Sequence, residues 1–139
     1  MTAKFELATR VGRLIEARVY RLMTRDDADE YSRALADEVR RHFRAPILLA
    51  DHRPVPIYPQ AAADRLVELF HDMNARLERI AIVVAPTNAT MLMQLERITR
   101  EARYENRKVF RSAEPALEHL ALSLDAVELA RARDFLDEA

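Results

Sequence analysis

Two short, uninterrupted apolar runs, residues 47–50 and 80–85, constrain this chain more than any other feature. Ile47, Leu48, Leu49 and Ala50 stand together before Asp51, and the second run closes at Pro86. Runs of this length without polar alternation read as strands covered on both faces. Such strands belong to a parallel sheet, and the segments between them must supply the covering helices. After the first run, Pro54, Pro56 and Pro59 keep the chain out of helix until the last proline has passed, so a helix begins near Gln60. Its apolar stripe is Ala63, Leu66, Val67, Phe70, Met73 and Leu77, with Asp64, Arg65, Glu68, Asp72 and Arg76 on the other face.

The same reading extends in both directions. Residues 4–9 alternate, with Phe5 and Leu7 on one face, and residues 13–22 alternate with Ile15, Ala17 and Val19 on one face. Gly12 supplies the turn between them, so the pair reads as a β-hairpin. Thr24 is placed to cap a helix with Asp27 three residues on. The stripe of that helix is Ala28, Tyr31, Leu35, Val39 and Phe43, and it ends near His42 or Phe43. Beyond Pro86, Thr87 or Asn88 caps a third helix with Met91 or Leu92, Leu95, Ile98 and Ala102 inward. A short strand at 108–111 has Val109 and Phe110 as its buried candidates. Ser112 then caps a helix over 113–122, and Asp125 with Glu128 starts a last helix, 125–139, through Val127, Ala130, Phe135 and Leu136. The expected class is therefore α/β: a small, mixed, mostly parallel sheet of about five strands with helices on its faces, in the order β-β-α-β-α-β-α-β-α-α. At 139 residues, with no linker long enough to divide it, the chain reads as a single domain over 1–139.

Composition narrows the function classes. The chain has no cysteine, so thiolate metal sites, disulfides and cysteine nucleophiles are out. Gly12 is the only glycine, which excludes glycine-rich phosphate loops. A net charge of -1, with acidic and basic residues mixed throughout, argues against nucleic acid or anionic lipid as a partner. There is no long apolar segment and no apolar leader at residues 1–6, so a soluble, cytoplasmic protein is expected.

In the stretch that starts at Asp51, the pattern Asp51, Val55, Ile57 and a helix start near Ala61 resembles the STAS domain, the module of anti-sigma-factor antagonists and sulphate-transporter tails. In that family the third strand ends in an aspartate, two apolar residues dip inward, and an Asp-Ser-Ser-Gly sequence opens the next helix. The resemblance places Val55 and Ile57 at the inward positions and Pro59-Gln60-Ala61-Ala62 where Asp-Ser-Ser-Gly would stand. The order of elements from Phe5 to His119 is also similar, including Val109-Phe110 and the alanine-containing helix after Ser112. The family's switch is phosphorylation of the second serine, and Ala61 occupies that position without a hydroxyl. What the resemblance implies is thus a recognition domain without the serine switch.

The loops at the carboxyl ends of the strands gather Thr24, Arg25, Asp51, His52, Arg53, Tyr58, Thr87, Asn88 and Ser112 at one rim. Asp51 and His52 could supply acid/base chemistry, with Arg53 for an anion. Adjacent residues on an extended segment point to opposite sides, however, so Asp51 is expected to bond loop amides and His52 to be partly solvated. His42, His52, His71 and His119 lack metal-ligand spacing, so no metal or other cofactor is expected. Asn88-Ala89-Thr90 reads as a helix cap, and Ser32, Ser112 and Ser123 as surface or capping serines. Arg97, Arg100 and Arg103, with Met93 near them, lie outward on the third helix, interrupted by Glu96 and Glu101; this reads as a solvated face. The terminal helix is expected to need apolar cover from a second subunit.

Two functions follow. The first is a non-enzymatic regulatory domain that binds a protein partner or itself, with Asp51, His52, Arg53, Tyr58, Gln60, Thr87 and Asn88 as the ligand- or partner-binding candidates. The alternative is a small-molecule-binding protein or enzyme that uses the loop from Asp51 to Gln60.

Overall fold

A computed structural model describes residues 3–138. The order is β1 (Phe5–Val11), β2 (Leu14–Val19), α1 (Arg25–Arg40), β3 (Ile47–Asp51), α2 (Gln60–Met73), β4 (Arg79–Val83), α3 (Ala89–Ala102), β5 (Arg107–Phe110), α4 (Ala113–Ala121) and α5 (Ala126–Asp137). Position 139, the expected end of the last helix, lies outside the described residues. The strands form one sheet in the order β1-β2-β3-β4-β5, with β1 antiparallel to β2 and every later pair parallel. Each crossover advances one strand in the same direction. With right-handed crossovers, α1, α2 and α3 must then share a face.

The opposite face is left for α4 and α5, and strand alternation divides the core accordingly. Ile15, Ala17, Val19, Leu48, Ala50, Ile80 and Ile82 lie in the cluster under α1 to α3. Leu14, Ile47, Leu49, Ala81 and Val83 lie in the other, with Leu117 and Leu120 of α4 and Ala132, Phe135 and Leu136 of α5. Burial on both sides is why β3 is apolar from Ile47 to Ala50. Among the described residues no helix is long and apolar enough to cross a membrane.

Helix ends follow the capping residues. Thr24 accepts from the Asp27 amide, Asn88 from the Met91 amide, and Asp125 and Glu128 form a full capping box. Ser112 stands at the N-cap of α4 but its side chain accepts no capping bond.

Several inward assignments are corrected. α1 stops at Arg40, so Phe43 falls beyond the helix and is fully exposed. In β5 the buried residue is Arg107, while Val109 and Phe110 are only half-buried on an edge strand. The Arg107 guanidinium donates to Asn74 Oδ1 at 2.7 Å and to the Phe70 carbonyl at 2.9 Å, and it lies over the Phe70 ring. Burial brings its pKa down to about 10, against a smaller opposing influence of Tyr104. In α5, Val127 and Ala130 face solvent, because the capping role of Glu128 turns that position inward. The apolar side of α5 is covered by the chain's own sheet, with no second subunit needed there.

Candidate functional site

Strands β2 to β5 run parallel, so the loops leaving their carboxyl ends meet along one rim. Asp51 sits there fully buried on the α5 face, directly opposite Arg18 in the register. It accepts from Arg18 Nε at 2.8 Å, from Arg53 Nε at 2.8 Å and from the Arg53 amide at 3.0 Å. Both arginines continue into α5: Arg18 donates to the Phe135 carbonyl at 2.6 Å and Arg53 to the Leu136 carbonyl at 2.8 Å. Burial pushes the Asp51 pKa up, but the hydrogen bonds from Arg53 and Arg18 outweigh it and hold the carboxyl below its ordinary value. The carboxylate is thus the clasp that fixes the last turn of α5 to the end of β3.

His52 points the other way, into the core under α1 to α3, and is buried rather than partly solvated. Its Nδ1 lies 2.7 Å from the Tyr58 hydroxyl, and the two rings meet edge to face. Nε2 has no hydrogen-bond partner among the described residues. The residue borders a space of about 10 Å³, close to the smallest that can admit one water. Burial lowers the His52 pKa to about 4, against a smaller opposing pull from Asp51.

The folded pKa of His52 lies below its ordinary value of 6.5, so the folded state binds fewer protons than the unfolded one. The stability this confers is complete above the unfolded pKa and is lost as pH falls towards about 4. Chemical denaturation at pH 7 and pH 4 should show a loss of about 3 kcal/mol in the wild type that is missing in His52→Phe/Tyr58→Phe. At pH 7 that double variant should be nearly as stable as wild type, because both partners of the hydrogen bond go together. Tyr58→Phe alone strands Nδ1 and should cost about 1–3 kcal/mol. Equal acid sensitivity in the double variant would contradict the assignment.

The loop that brings Tyr58 inward is held from α3. The side-chain amide of Gln94 accepts from the Tyr58 amide at 2.9 Å and donates to its carbonyl at 2.8 Å. Asn88 donates to the Pro56 carbonyl at 2.9 Å while its oxygen caps α3. Thr87 is exposed and makes no cap, and Gln60 donates to Asp64 on the surface of α2. Ala61, the second residue of α2, is exposed.

One inward assignment in the loop is reversed. Val55 is buried as expected, but Ile57 is 54% exposed and Tyr58 takes the inward place. Ile57 instead lies in an open groove of about 330 Å³ with Met93, which is 69% exposed. Gln60, Thr90, Arg97 and Arg100 border the groove. Neither arginine has an ion-pair partner among the described residues. The outward face of α3 is therefore not merely solvated: Met93 and Ile57 of the preceding loop form an apolar pair framed by Arg97 and Arg100.

The remaining polar candidates do not converge. Ser32 donates back to the Ala28 carbonyl, Ser123 accepts from Arg79, and His119 faces backbone carbonyls of Ile80 and Asn106. Thr24, Arg25 and Ser112 serve α1 and α4: Thr24 and Ser112 stand at their N-caps, and Arg25 pairs with Glu68. Among the described residues no three histidine or carboxylate side chains group as a metal site. Comparisons with family models, curated proteins and solved structures give no match for this chain.

Proposed function

We propose that the chain is a cytoplasmic, non-enzymatic STAS-like regulatory domain that recognises a protein partner through the β3–α2 loop and the outward face of α3, with no serine switch at position 61. The observation that carries this reading is the groove in which Ile57 and Met93 stand exposed between Arg97 and Arg100. Two large apolar side chains held outward by a stiff, proline-rich loop and a capped helix present a preformed contact, and free arginines around them select a partner with acidic groups beside an apolar insert. The rim's polar groups support recognition over catalysis. Asp51 is held by Arg18 and Arg53, and His52 meets the Tyr58 hydroxyl through Nδ1 beneath the loop, so Asp51 and His52 do not face a common cleft. Gln60 borders the same groove, and the next residue, Ala61, is the one that the resemblance aligns with the family's phosphorylated serine, which supports a contact without that switch.

Site-specific photocrosslinking tests this. A benzophenone amino acid replacing Met93 in the native host should give a discrete protein adduct that Ile57→Asp abolishes. The same probe at Glu118, exposed on α4 on the other side of the sheet, should give none. Equal labelling at both positions, or none at 93, would contradict the proposal.

A further inference from the structure

At the other end of the sheet from α3, strand β1 is an open edge. It is seven residues long, it contains no proline, and its backbone bonds only to β2 among the described residues. The Tyr20 amide donates to the Lys4 carbonyl, so even-numbered positions turn their backbone groups towards β2. Phe5, Leu7 and Thr9 then direct N–H and C=O groups outward, ready to pair with another strand.

The side chains say which strand. An antiparallel copy of β1 centred on Ala8 sets Leu7 against Thr9 and Glu6 against Arg10, each pair occurring twice by symmetry. Glu6 and Arg10 are exposed and project on the same face, beside an open groove of about 360 Å³ between β1 and the end of α5. Self-pairing thus brings opposite charges together twice, and the two Leu7–Thr9 pairs add about four backbone hydrogen bonds. The register shift between Thr9 and Val11 ends the ladder near Arg10. The other edge offers nothing comparable: β5 has four residues and its ionised groups, Arg107 and Lys108, are both cationic.

We infer that β1 is a self-association edge, through which two copies join as a symmetric antiparallel pair and extend the sheet across both. This inference stands apart from the partner groove on α3, and either can fail without the other.

The test is a charge-reversal cycle read by sedimentation. The wild type should show a monomer–dimer equilibrium below about 1 mM. Glu6→Arg sets arginine against arginine twice, and Arg10→Glu sets glutamate against glutamate twice. Each should weaken the dimer at least about tenfold. The double variant should recover to within about threefold of wild type. Glu6→Arg mixed with Arg10→Glu should form a heterodimer tighter than either homodimer, which a misfolded variant could not do. A wild type that stays monomeric to about 1 mM, or a dimer that neither reversal weakens, would overturn the inference, as would single variants that fail to recover on mixing.

Discussion

Asp51→Ala should remove about 3–5 kcal/mol of stability and release the end of α5. The carboxylate is fully buried and carries two arginines, so its loss leaves both guanidinium groups in a poorly solvated place without a counter-charge. The damage should spread along the chain, because those same arginines donate to the carbonyls of Phe135 and Leu136 in the last turn of the helix, where carbonyls run short of amide partners. The face of α5 built from Ala132, Phe135 and Leu136 is fixed at this point, and Arg18 also lies 4.1 Å from the Phe135 ring centroid. Chemical denaturation gives the loss, and hydrogen exchange should rise most at residues 132–138. The Asp51 pKa is depressed in the folded state, so its contribution is present above the unfolded value of 3.8 and disappears as pH falls below it. The difference between wild type and variant should therefore shrink on acidification. A variant within about 1 kcal/mol of wild type at pH 7 would mean that the clasp contributes little.

Gly12→Ala should cost about 2–4 kcal/mol, combining left-handed strain with a displaced carboxylate. Gly12 turns the β1–β2 hairpin at a φ of +53°, and a Cβ there would overlap Glu128 Oε2 and lie 2.9 Å from its Cδ. That carboxylate cannot move freely. It accepts from the Arg13 amide at 2.7 Å and from the Asp125 amide at 2.9 Å, so one side chain joins the hairpin turn to the start of α5. Denaturation of Gly12→Ala, Glu128→Ala and the double variant should show strong non-additivity, since removing Glu128 removes the overlap. Additive losses would contradict the contact.

Much of this fold could be read from local pattern. Period-two alternation placed Ile15, Ala17 and Val19 together, two apolar runs marked β3 and β4, and the Asp125 cap followed from residue type and spacing, while local pattern left the α3 cap between Thr87 and Asn88. What escaped depended on register or on loop geometry. The pairing of Arg18 with Asp51 needs β2 aligned against β3, and nothing local in either segment fixes that alignment. Arg107 carries no apolar signal; its burial depends on the carbonyl of Phe70 and the amide oxygen of Asn74, both distant in sequence. Tyr58 and Ile57 exchange the expected roles because a loop with three prolines does not alternate as a strand does, and because Gln94 grips the Tyr58 backbone from α3. The exposed groove is only half legible: helical spacing places Arg97, Arg100 and Met93 outward, but the loop pattern sends Ile57 to the interior.

The most direct test compares two double variants for binding to the partner captured at position 93. Ile57→Asp/Met93→Asp should unfold at the same denaturant concentration as wild type yet bind at least about 100-fold more weakly. His52→Phe/Tyr58→Phe should bind within about threefold of wild type, because the groups it removes lie beneath the loop and never reach the surface. Binding that survives loss of the apolar pair but fails without His52 and Tyr58 would contradict the account, and would move the functional centre from the surface of α3 to the interior of the rim.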